Sequence, residues 1–460
     1  MKLPRMGRWV ACVAIGLVAS SCQPDYPTHS YGTERQAYNP NEATISPSNV
    51  AGLRHKWSVD LGAYINASPI LAKNINVNGT ARDVVYVGTE HGDLYAIGTG
   101  GAVLWKRNLG THVANCPDTP DNTYGVSASA VFDRGGNRVF AVGGNGNVYA
   151  LDPATGAIQS GWPVQFTTDP SHEAVYSAPT LFGNQLYVET ASHCDAVPYR
   201  GRVVGINTST RAKTLFYVNG PTGPYGGGIW GWGGASVDPA NGDVYVATGN
   251  AIADPENFGY SNHVVRLTSG LTVRAAHAPG DLIRDDDFGS TPVLFQKSGC
   301  PPQLAVIQKN GSLYLYDRDS IATGFRQRTP LFPSGTQWAI GQVAYSPVTQ
   351  MIYVPNQANG GFFTYGIVAF RLDAACNLAL AWQTTAGVNH RVTSSPTVAN
   401  GVVYYGSGSD RKIYAFNAQT GARLWASGTE VTGTIVAAPI AVGGQVYAGA
   451  YDNRLHAWGL

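Results

Sequence analysis

The sequence has few charged residues. Asp, Glu, Lys and Arg make up 13% of its 460 residues, and the formal net charge is +1. Nucleic-acid-binding proteins need a basic patch or stripe on their surface, and this composition offers none. After the first eighteen residues, no apolar run is long enough to cross a membrane. We therefore expect no nucleic-acid partner, and membrane contact only through a lipid anchor.

Several motifs that carry chemistry are also missing. The chain has no CxxC pair, which excludes zinc ribbons and the CxxCH site of covalent haem attachment. It has no GxSxG nucleophile elbow, no HExxH zinc motif and no phosphate-binding P-loop. The ten histidines are scattered through separate turns, without the spacing of metal ligands. The sequence therefore gives no sign of nucleophile-elbow, HExxH or P-loop chemistry.

The first residues have the pattern of a targeting segment. Lys2, Arg5 and Arg8 precede a short apolar run over residues 9–18, and small residues then lead to Cys22. This order predicts a signal peptide over residues 1–22, of the lipoprotein type, with Cys22 as the lipidated residue. Ordinary cleavage nearby is the alternative. The protein is expected to be exported to the periplasm or the cell surface, and to be lipid-anchored there.

Glycine and aromatic residues are abundant, and they recur in a repeated phrase. The phrase contains an apolar strand, a turn, a VVY-like strand, a Gly turn and a Tyr-Ala strand, as in SPTVANGVVYYGSGSDRKIYAFNAQTGARLW. Eight units, 43 to 61 residues apart, open near Ser68, Ser129, Ala178, Ala235, Thr291, Tyr345, Ser395 and Ala438. Each unit has the content of one propeller blade.

The pattern therefore predicts an all-β fold, an eight-bladed β-propeller. The last unit lacks its final Trp-containing strand, whereas residues 53–62 contain an unassigned one, LRHKWSVDLG. We expect this segment to pair with the blade over residues 438–460 and to close the ring. The domain boundaries are then a signal peptide (1–22), an N-terminal extension (23–52) and the propeller (53–460).

The repeat resembles that of pyrroloquinoline quinone propellers, which occur in quinoprotein alcohol dehydrogenases. The segments YALDPATGA at Tyr149 and YAFNAQTGARLW at Tyr414 carry the resemblance. It implies a propeller of quinoprotein alcohol dehydrogenase type, with pyrroloquinoline quinone and Ca²⁺ as cofactors. It also implies a small-molecule alcohol as substrate and an external electron acceptor. Non-catalytic lipoproteins of the barrel-assembly machinery share the repeat, so a binding or assembly scaffold is the alternative function.

Two segments resemble parts of the dehydrogenase site. WGWGGASVDPANGDVYVATGN resembles the segment that carries the Trp beneath the quinone and an Asn ligand of the metal. Trp232 takes the Trp position by its spacing from Asp238, with Trp230 as the second choice, and Asn250 takes the ligand position. RDDDFGSTP resembles the segment of the general base, which places that role on Asp287, also a metal ligand.

Two further positions follow from the same resemblance. Lys309, in IQKNG, stands where the family has a Lys or Arg facing the quinone oxygens. Asp195, in YVETASHCDAVPYRG, falls nearest the place of the family's Glu ligand, with Glu189 as the alternative. The shorter Asp in place of Glu is a departure from the family pattern.

Four cysteines remain after Cys12 and Cys22, and four cysteines allow three pairings. Cys116 stands alone in a loop that resembles the one where many of these dehydrogenases hold two adjacent, bonded cysteines over the cofactor. The resemblance thus places Cys116 near the cofactor. Cys194 adjoins Asp195, so we expect the pairs Cys116–Cys194 and Cys300–Cys376.

Overall fold

The structure is a computed structural model that describes residues 25–117, 119–252, 258–280, 285–332, 340–357, 362–387 and 394–460. The predicted signal peptide and Cys22 lie outside these residues. Nearly all of the regular structure is β. In the part of the chain that the structure describes, no helix is long and apolar enough to span a membrane.

The described residues form eight blades, one for each predicted unit, and each blade has four antiparallel strands; a fifth strand, in parallel, joins the sheet of blade 7. Blades 1 to 4 consist of Ile70–Val77, Thr80–Gly88, Asp93–Gly98 and Val103–Asn108; Val131–Asp133, Arg138–Gly143, Asn147–Leu151 and Val164–Gln165; Thr180–Phe182, Gln185–Thr190, Arg202–Asn207 and Lys213–Tyr217; Ser236–Val237, Val244–Ala247, Val264–Leu267 and Val273–His277. The eight-bladed propeller that the repeats predict is confirmed.

The remaining blades continue this order from the innermost strand to the outermost. Blades 5 to 8 consist of Val293–Phe295, Gln303–Gln308, Ser312–Asp317 and Gln327–Pro330; Ala344–Ser346, Met351–Asn356, Gly366–Leu372 and Leu378–Thr385; Thr397–Ala399, Val402–Ser407, Lys412–Asn417 and Arg423–Ala426; Ile440–Val442, Gln445–Gly449, Arg454–Gly459 and the early strand Arg54–Asp60.

The clasp that closes the ring is the strand Arg54–Asp60. It pairs antiparallel with Arg454–Gly459, as its Trp-containing sequence predicts. The indole Nε1 of Trp57 then donates a hydrogen bond of 2.9 Å to the carbonyl of Thr99 in blade 1. The two ends of the propeller are therefore joined both by a strand ladder and by a side chain that reaches the next blade.

The hydrophobic core lies between neighbouring blades. One cluster, for example, packs Ile70, Val84 and Leu94 of blade 1 against Val139 and Ala141 of blade 2. The central strands are apolar on both faces because both faces meet another blade, and burying one such side chain contributes about 1.5–3 kcal/mol. A blade thus gains most of its stability from its neighbours rather than from its own sheet.

The other elements are short. They are the 3-10 helices Val50–Gly52, His193–Asp195 and Arg318–Thr323, the ribbon of His112–Val113 with Thr123–Tyr124, the ribbon of Tyr225–Gly226 with Ala251–Ile252, and the strand Tyr38–Asn39, which pairs in parallel with Thr397–Ala399. That last strand lies on the innermost edge of blade 7, so the chain before the clasp runs inside the ring.

Two disulfides confirm the expected pairings. Cys116, in the loop that leads into blade 2, is bonded to Cys194, in the loop between the second and third strands of blade 3, with their Cα atoms 5.6 Å apart. Cys300 and Cys376 join the first hairpin of blade 5 to a turn of blade 6, also with Cα atoms 5.6 Å apart. Both bonds therefore link neighbouring blades.

Candidate functional site

A cavity of about 430 Å³ lies on the axis of the ring, at one face of the propeller. Its described lining comes from seven of the eight blades and consists of Asn66, Tyr124, Tyr176, Ala191, Ser192, Cys194, Asp195, Tyr199, Trp230, Trp232, Asp287, Lys309, Ile340, Thr434, Val436 and Tyr451. These residues belong to the loops that enter the innermost strands and to those that join second and third strands. We call this side of the ring the upper face.

Asp287 is the best-anchored acid in the cavity. It is 4% exposed, and three N–H groups hold its two carboxylate oxygens. The backbone N–H of Asn250 donates to Oδ1 over 2.6 Å, while Trp230 Nε1 and Lys309 Nζ lie 3.0 and 3.3 Å from Oδ2. A carboxylate offers about four lone-pair sites. Among the described residues, Oδ1 thus keeps one lone pair beyond its bond to Asn250.

Lys309 is the cation of this cluster. Its Nζ lies 2.6 Å from Asp285 Oδ1 and 5.0 Å from the centre of the Trp230 ring. Burial acts to lower the pKa of Lys309, but the charges of Asp287 and Asp285 outweigh it, and the pKa lies above its ordinary value. Lys309 therefore stays positively charged beside the cavity at neutral pH.

Asp195 faces the same cluster from blade 3. Its Oδ1 accepts a 2.5 Å hydrogen bond from the Tyr199 hydroxyl. Burial, and then the negative charge of Asp287, raises the pKa of Asp195 to about 6. The two carboxylates are thus close enough to repel each other, a repulsion that a bound cation would relieve.

The glycines of the WGWGG segment allow its backbone to pack against buried side chains. A Cβ on Gly233 would lie 2.5 Å from Gln342 Oε1, and one on Gly234 would lie 2.5 Å from Glu189 Oε2. Gly234 also has a φ of 65°, which favours glycine. These glycines are required for the turn that presents Trp230 and Trp232 to the cavity.

The residues present fit a cation. Asn250 Oδ1 is a buried oxygen without a hydrogen-bond partner among the described residues. Together with carboxylates of Asp195 and Asp287, it supplies the hard oxygen donors that Ca²⁺ prefers. Within the described ranges, no group of three or more His, Cys, Asp or Glu side chains could hold a metal ion. The candidate ligand set accordingly depends on the Asn250 amide.

The cavity also fits a flat, anionic cofactor. Trp230 and Trp232 offer indole rings, and the Nε1 of Trp232 is buried without a partner among the described residues. Lys309 offers the positive charge, and Cys194 brings a disulfide to the wall. A flat ring bearing carboxylates needs these three features: an aromatic surface, a cation and a close cover.

The structure brings most of the expected site residues together. Trp230, Trp232, Asp195, Asp287 and Lys309 all line the cavity. Asn250 contacts Asp287 through its backbone N–H, a bond that its motif does not predict. The described lining includes Cys194 but not Cys116, which is 1% exposed and reaches the site only through the disulfide. The alternative ligand Glu189 does not line the cavity either; it is buried against Gly234.

Sequence reasoning missed two polar groups in the wall. The Tyr176 hydroxyl lies 2.5 Å from His193 Nδ1, and burial, followed by His112, lowers the pKa of His193 to about 2. Across the cavity, Tyr451 donates to Asn66, which donates to the buried carboxylate of Glu90. No motif marks these residues, because they come from turns of separate blades.

Comparison with known proteins places the chain among propeller proteins. A sequence model of the family described as outer membrane protein assembly factor BamB matches residues 54–213 and 372–459. A polyvinylalcohol dehydrogenase from a Pseudomonas species is 24% identical over an alignment 488 positions long, gaps included, which covers 90% of this chain and 71% of that protein. Trp230, Trp232, Asn250, Asp287 and Lys309 fall outside the segments that the family model matches.

Solved structures share the fold. A europium-containing methanol dehydrogenase superposes with a TM-score of 0.73 at 17% identity, over 96% of this chain and 99% of that chain. The quinohemoprotein alcohol dehydrogenase of Comamonas testosteroni gives 0.71 at 16%, over 96% and 81%. BamB of Moraxella catarrhalis gives 0.57 at 15%, over 89% and 100%. Because the family match takes in more than half of the chain, the protein belongs to the family of quinone-type propeller proteins described as outer membrane protein assembly factor BamB.

Proposed function

We propose that the protein is a quinone-dependent alcohol dehydrogenase that acts at the cavity on the upper face, with a Ca²⁺ ion assisting. The observation that carries the proposal is the meeting of Asp287, Lys309 and Trp230 within hydrogen-bonding or ring-contact distance, although they come from two blades. Fold alone does not specify function, so this cluster of side chains, rather than the propeller, supports the proposal.

Asp287 is the residue that would take the proton of the alcohol. The bonds from Asn250 and Trp230 fix its orientation, and Oδ1 is the oxygen with a lone pair available. A positioned carboxylate of this kind acts as a general base. Lys309, held charged beside it, would stabilise the negative charge that develops as the proton leaves. Bound pyrroloquinoline quinone would supply the two-electron oxidant.

Trp232 and Trp230 would hold the cofactor ring, with Trp232 beneath it. Asp195, Asp287 and Asn250 would hold the cation, and the disulfide at Cys194 would narrow the cavity above the ring. Because the chain contains no haem-attachment motif, electrons would leave to a separate acceptor. The relative named for polyvinyl alcohol supports an alcohol as substrate, and a polymer as one form of it.

The second candidate is a non-catalytic scaffold, which the description of the matching family favours. A scaffold has no need of a charged cluster around an aromatic cavity on the ring axis. Export and lipid anchoring at Cys22, which we expect from the N-terminal sequence, are compatible with both candidates and do not distinguish them.

Titration of the purified protein with pyrroloquinoline quinone tests the proposal directly. We expect saturable changes in quinone absorbance that require Ca²⁺, followed by dye-linked oxidation of polyvinyl alcohol or of small alcohols. Asp287→Asn should abolish oxidation while quinone still binds. Asp317→Asn, in the same blade but paired with Arg326 away from the cavity, is the matched control and should keep activity. Failure of the wild-type protein to bind quinone would leave the scaffold as the function.

A further inference from the structure

Residues 25–39 fill the central channel and bond to the innermost strand of every blade. They lack the repeat pattern of the blades, yet they form a continuous series of contacts around the ring. The hydrogen-bonded pairs are Tyr26 with Leu71, Pro27 with Phe132, Arg35 with Thr180, Thr33 with Val237, Glu34 with Leu294, Gln36 with Tyr345, Ala37 with Val398 and Asn39 with Ala441. We call residues 25–39 the channel segment.

The ring imposes an unusual conformation on the channel segment. Ser30, Tyr31, Arg35 and Ala37 all have φ between 54° and 74°, in the left-handed region that non-glycine residues rarely adopt. Such angles persist only where surrounding contacts over-determine them. The contacts with eight inner strands supply that constraint. The channel segment is therefore an integral part of the core of the propeller.

Arg35 is the most deeply anchored residue of the channel segment. Its side chain is fully buried, and its guanidinium donates to the carbonyls of His29, Ala178, Pro179 and Ala235 and to the hydroxyls of Thr28 and Thr180. A buried charge is costly unless its hydrogen bonds are satisfied. Here all the acceptors are neutral oxygens, either of the channel segment itself or of residues at the start of the inner strands of blades 3 and 4.

These acceptors connect Arg35 to the turn that carries the two cavity tryptophans. Arg35 bonds to the carbonyl of Ala235, three residues after Trp232, and to that of Ala178. The N–H of Ala178 donates in turn to the carbonyl of Trp232 over 2.9 Å. Arg35 thus contacts the backbone on both sides of the pairing that holds Trp232.

Two further side chains join Arg35 to the same turn. The Nε2 of Gln342 donates to the Arg35 carbonyl over 2.6 Å, while its Oε1 lies directly beneath Gly233. Glu189 lies beneath Gly234, and burial raises its pKa to about 8 even though the positive charge of Arg35 opposes the shift. The turn over residues 230–235 therefore rests on a buried polar layer whose centre is Arg35.

From these contacts we infer that Arg35 is a positioning residue for the Trp230 and Trp232 turn, so that the channel segment is a working part of the cavity without touching it. The role of the channel segment in ligand binding rests on the proposed function. Control of the turn by Arg35 does not rest on it.

Hydrogen exchange measured by mass spectrometry on the full chain tests whether Arg35 controls the turn. The amides of Gly233 and Gly234 are protected by bonds of 2.9 and 2.8 Å to Thr291 and Gly231. Arg35→Lys keeps the charge but loses the planar set of donors. We expect exchange in peptides covering residues 229–236 to rise at least about tenfold, with other blades much less affected.

Asn39→Ala is the matched control, because it removes a buried hydrogen bond of the same segment to blade 8, away from the turn. It should lower the melting temperature without changing exchange at residues 229–236. Gln342→Met, which leaves Arg35 in place, should give the Arg35→Lys effect in weaker form and serves if Arg35→Lys does not fold. Equal exchange at the turn in Arg35→Lys and Asn39→Ala, or a rise spread evenly over all blades, would overturn the inference.

Quinone titration tests the role of the channel segment in ligand binding. If the wild-type protein binds quinone, Arg35→Lys should weaken that binding by about tenfold or more, and Asn39→Ala should not. Unchanged affinity in Arg35→Lys would overturn the role in ligand binding. A wild-type protein that binds no quinone would defeat both the proposed function and the role of the channel segment in ligand binding. The exchange result would still test whether Arg35 controls the turn.

Discussion

At the residue scale, several ionisable side chains near the centre of the ring are buried. Arg35, Glu189, Asp287 and Glu90 are all less than 5% exposed. Burial raises the pKa of Glu189 and of Glu90, while it lowers that of Arg35 to about 10. Each of these groups costs free energy unless a partner compensates for its charge. A single substitution at any of these positions therefore tests how the centre of the ring compensates for a buried charge.

Glu189 gives the sharpest pH dependence. Its pKa is about 8 in the folded protein and near 4.5 in the unfolded chain, so between these values the folded state holds the extra proton. Stability must then fall as pH rises from 4.5 to 8. Glu189→Gln should remove this loss and gain on wild type by on the order of 1 kcal/mol per pH unit. Urea unfolding at pH 5 and pH 7.5 measures it, and two proteins with parallel pH profiles would contradict it.

Sequence reasoning identified several axis residues but not the bonds among them. Asp287, Lys309 and Trp230 lie in recognisable motifs, and all three line the cavity. The bond between Trp230 and Asp287 spans 57 residues, and it exists only because blades 4 and 5 turn their entry loops toward the same axis. Arg35 stands outside the repeat, so no motif could mark it. Such contacts depend on closure of the ring, which local patterns do not encode.

Tryptophans of the outermost strands join blades at the element scale. Trp57, Trp105 and Trp382 each donate from Nε1 to a carbonyl of the following blade. Each ring also packs where a glycine leaves room, as Trp105 does on Gly156. The repeat phrase contains both the Leu-Trp ending and the Gly turn, which explains why blade order was predictable from sequence.

The clasp can be compared with an ordinary blade junction by one matched pair of variants. Trp57→Ala alters the junction that closes the ring, and Trp105→Ala alters the junction of blades 1 and 2. The two side chains make the same kind of hydrogen bond, 2.9 and 3.0 Å long. We expect both to lower the free energy of unfolding by similar amounts, on the order of 2–4 kcal/mol. Chemical unfolding measures this.

A wild-type-like stability for Trp57→Ala would mean that the Trp57 side chain contributes little to closing the ring. The strand ladder with Arg454–Gly459 and the channel segment would then be the main links between the first and last blades. That segment was not predictable at the element scale, since residues 25–39 show no strand alternation and only Tyr38–Asn39 pairs as a strand.

The whole molecule is a ring whose two faces carry different structural features. The cavity occupies the upper face. At the opposite face, Asp25 accepts hydrogen bonds from the backbone N–H of Lys73 and from Arg134, near the hairpins that follow the innermost strands. The chain therefore enters the channel from the side opposite the cavity. One disulfide belongs to each face, Cys116–Cys194 beside the cavity and Cys300–Cys376 at the hairpin of blade 5.

Variants of these two disulfides distinguish an effect on stability from an effect on ligand binding. They close loops of nearly equal length, with sequence separations of 78 and 76 residues. The chain-entropy contribution depends on loop length, so each should stabilise the fold by about 4 kcal/mol. The double variants Cys116→Ser/Cys194→Ser and Cys300→Ser/Cys376→Ser should thus lose similar stability. Because Cys194 lines the cavity, only the first should change quinone affinity.

The two disulfides can also be compared in the unmodified protein, because their cysteines differ in solvent exposure. Cys194 is exposed, whereas Cys300 and Cys376 are 8% and 7% exposed. Exchange with an added thiol requires access to a sulfur, so mild reductant should open Cys116–Cys194 first. Alkylation followed by peptide mass spectrometry measures the order. Labelling of Cys300 and Cys376 before the other pair, or of all four together, would show that opening of the ring, rather than exposure at the cavity, controls reduction.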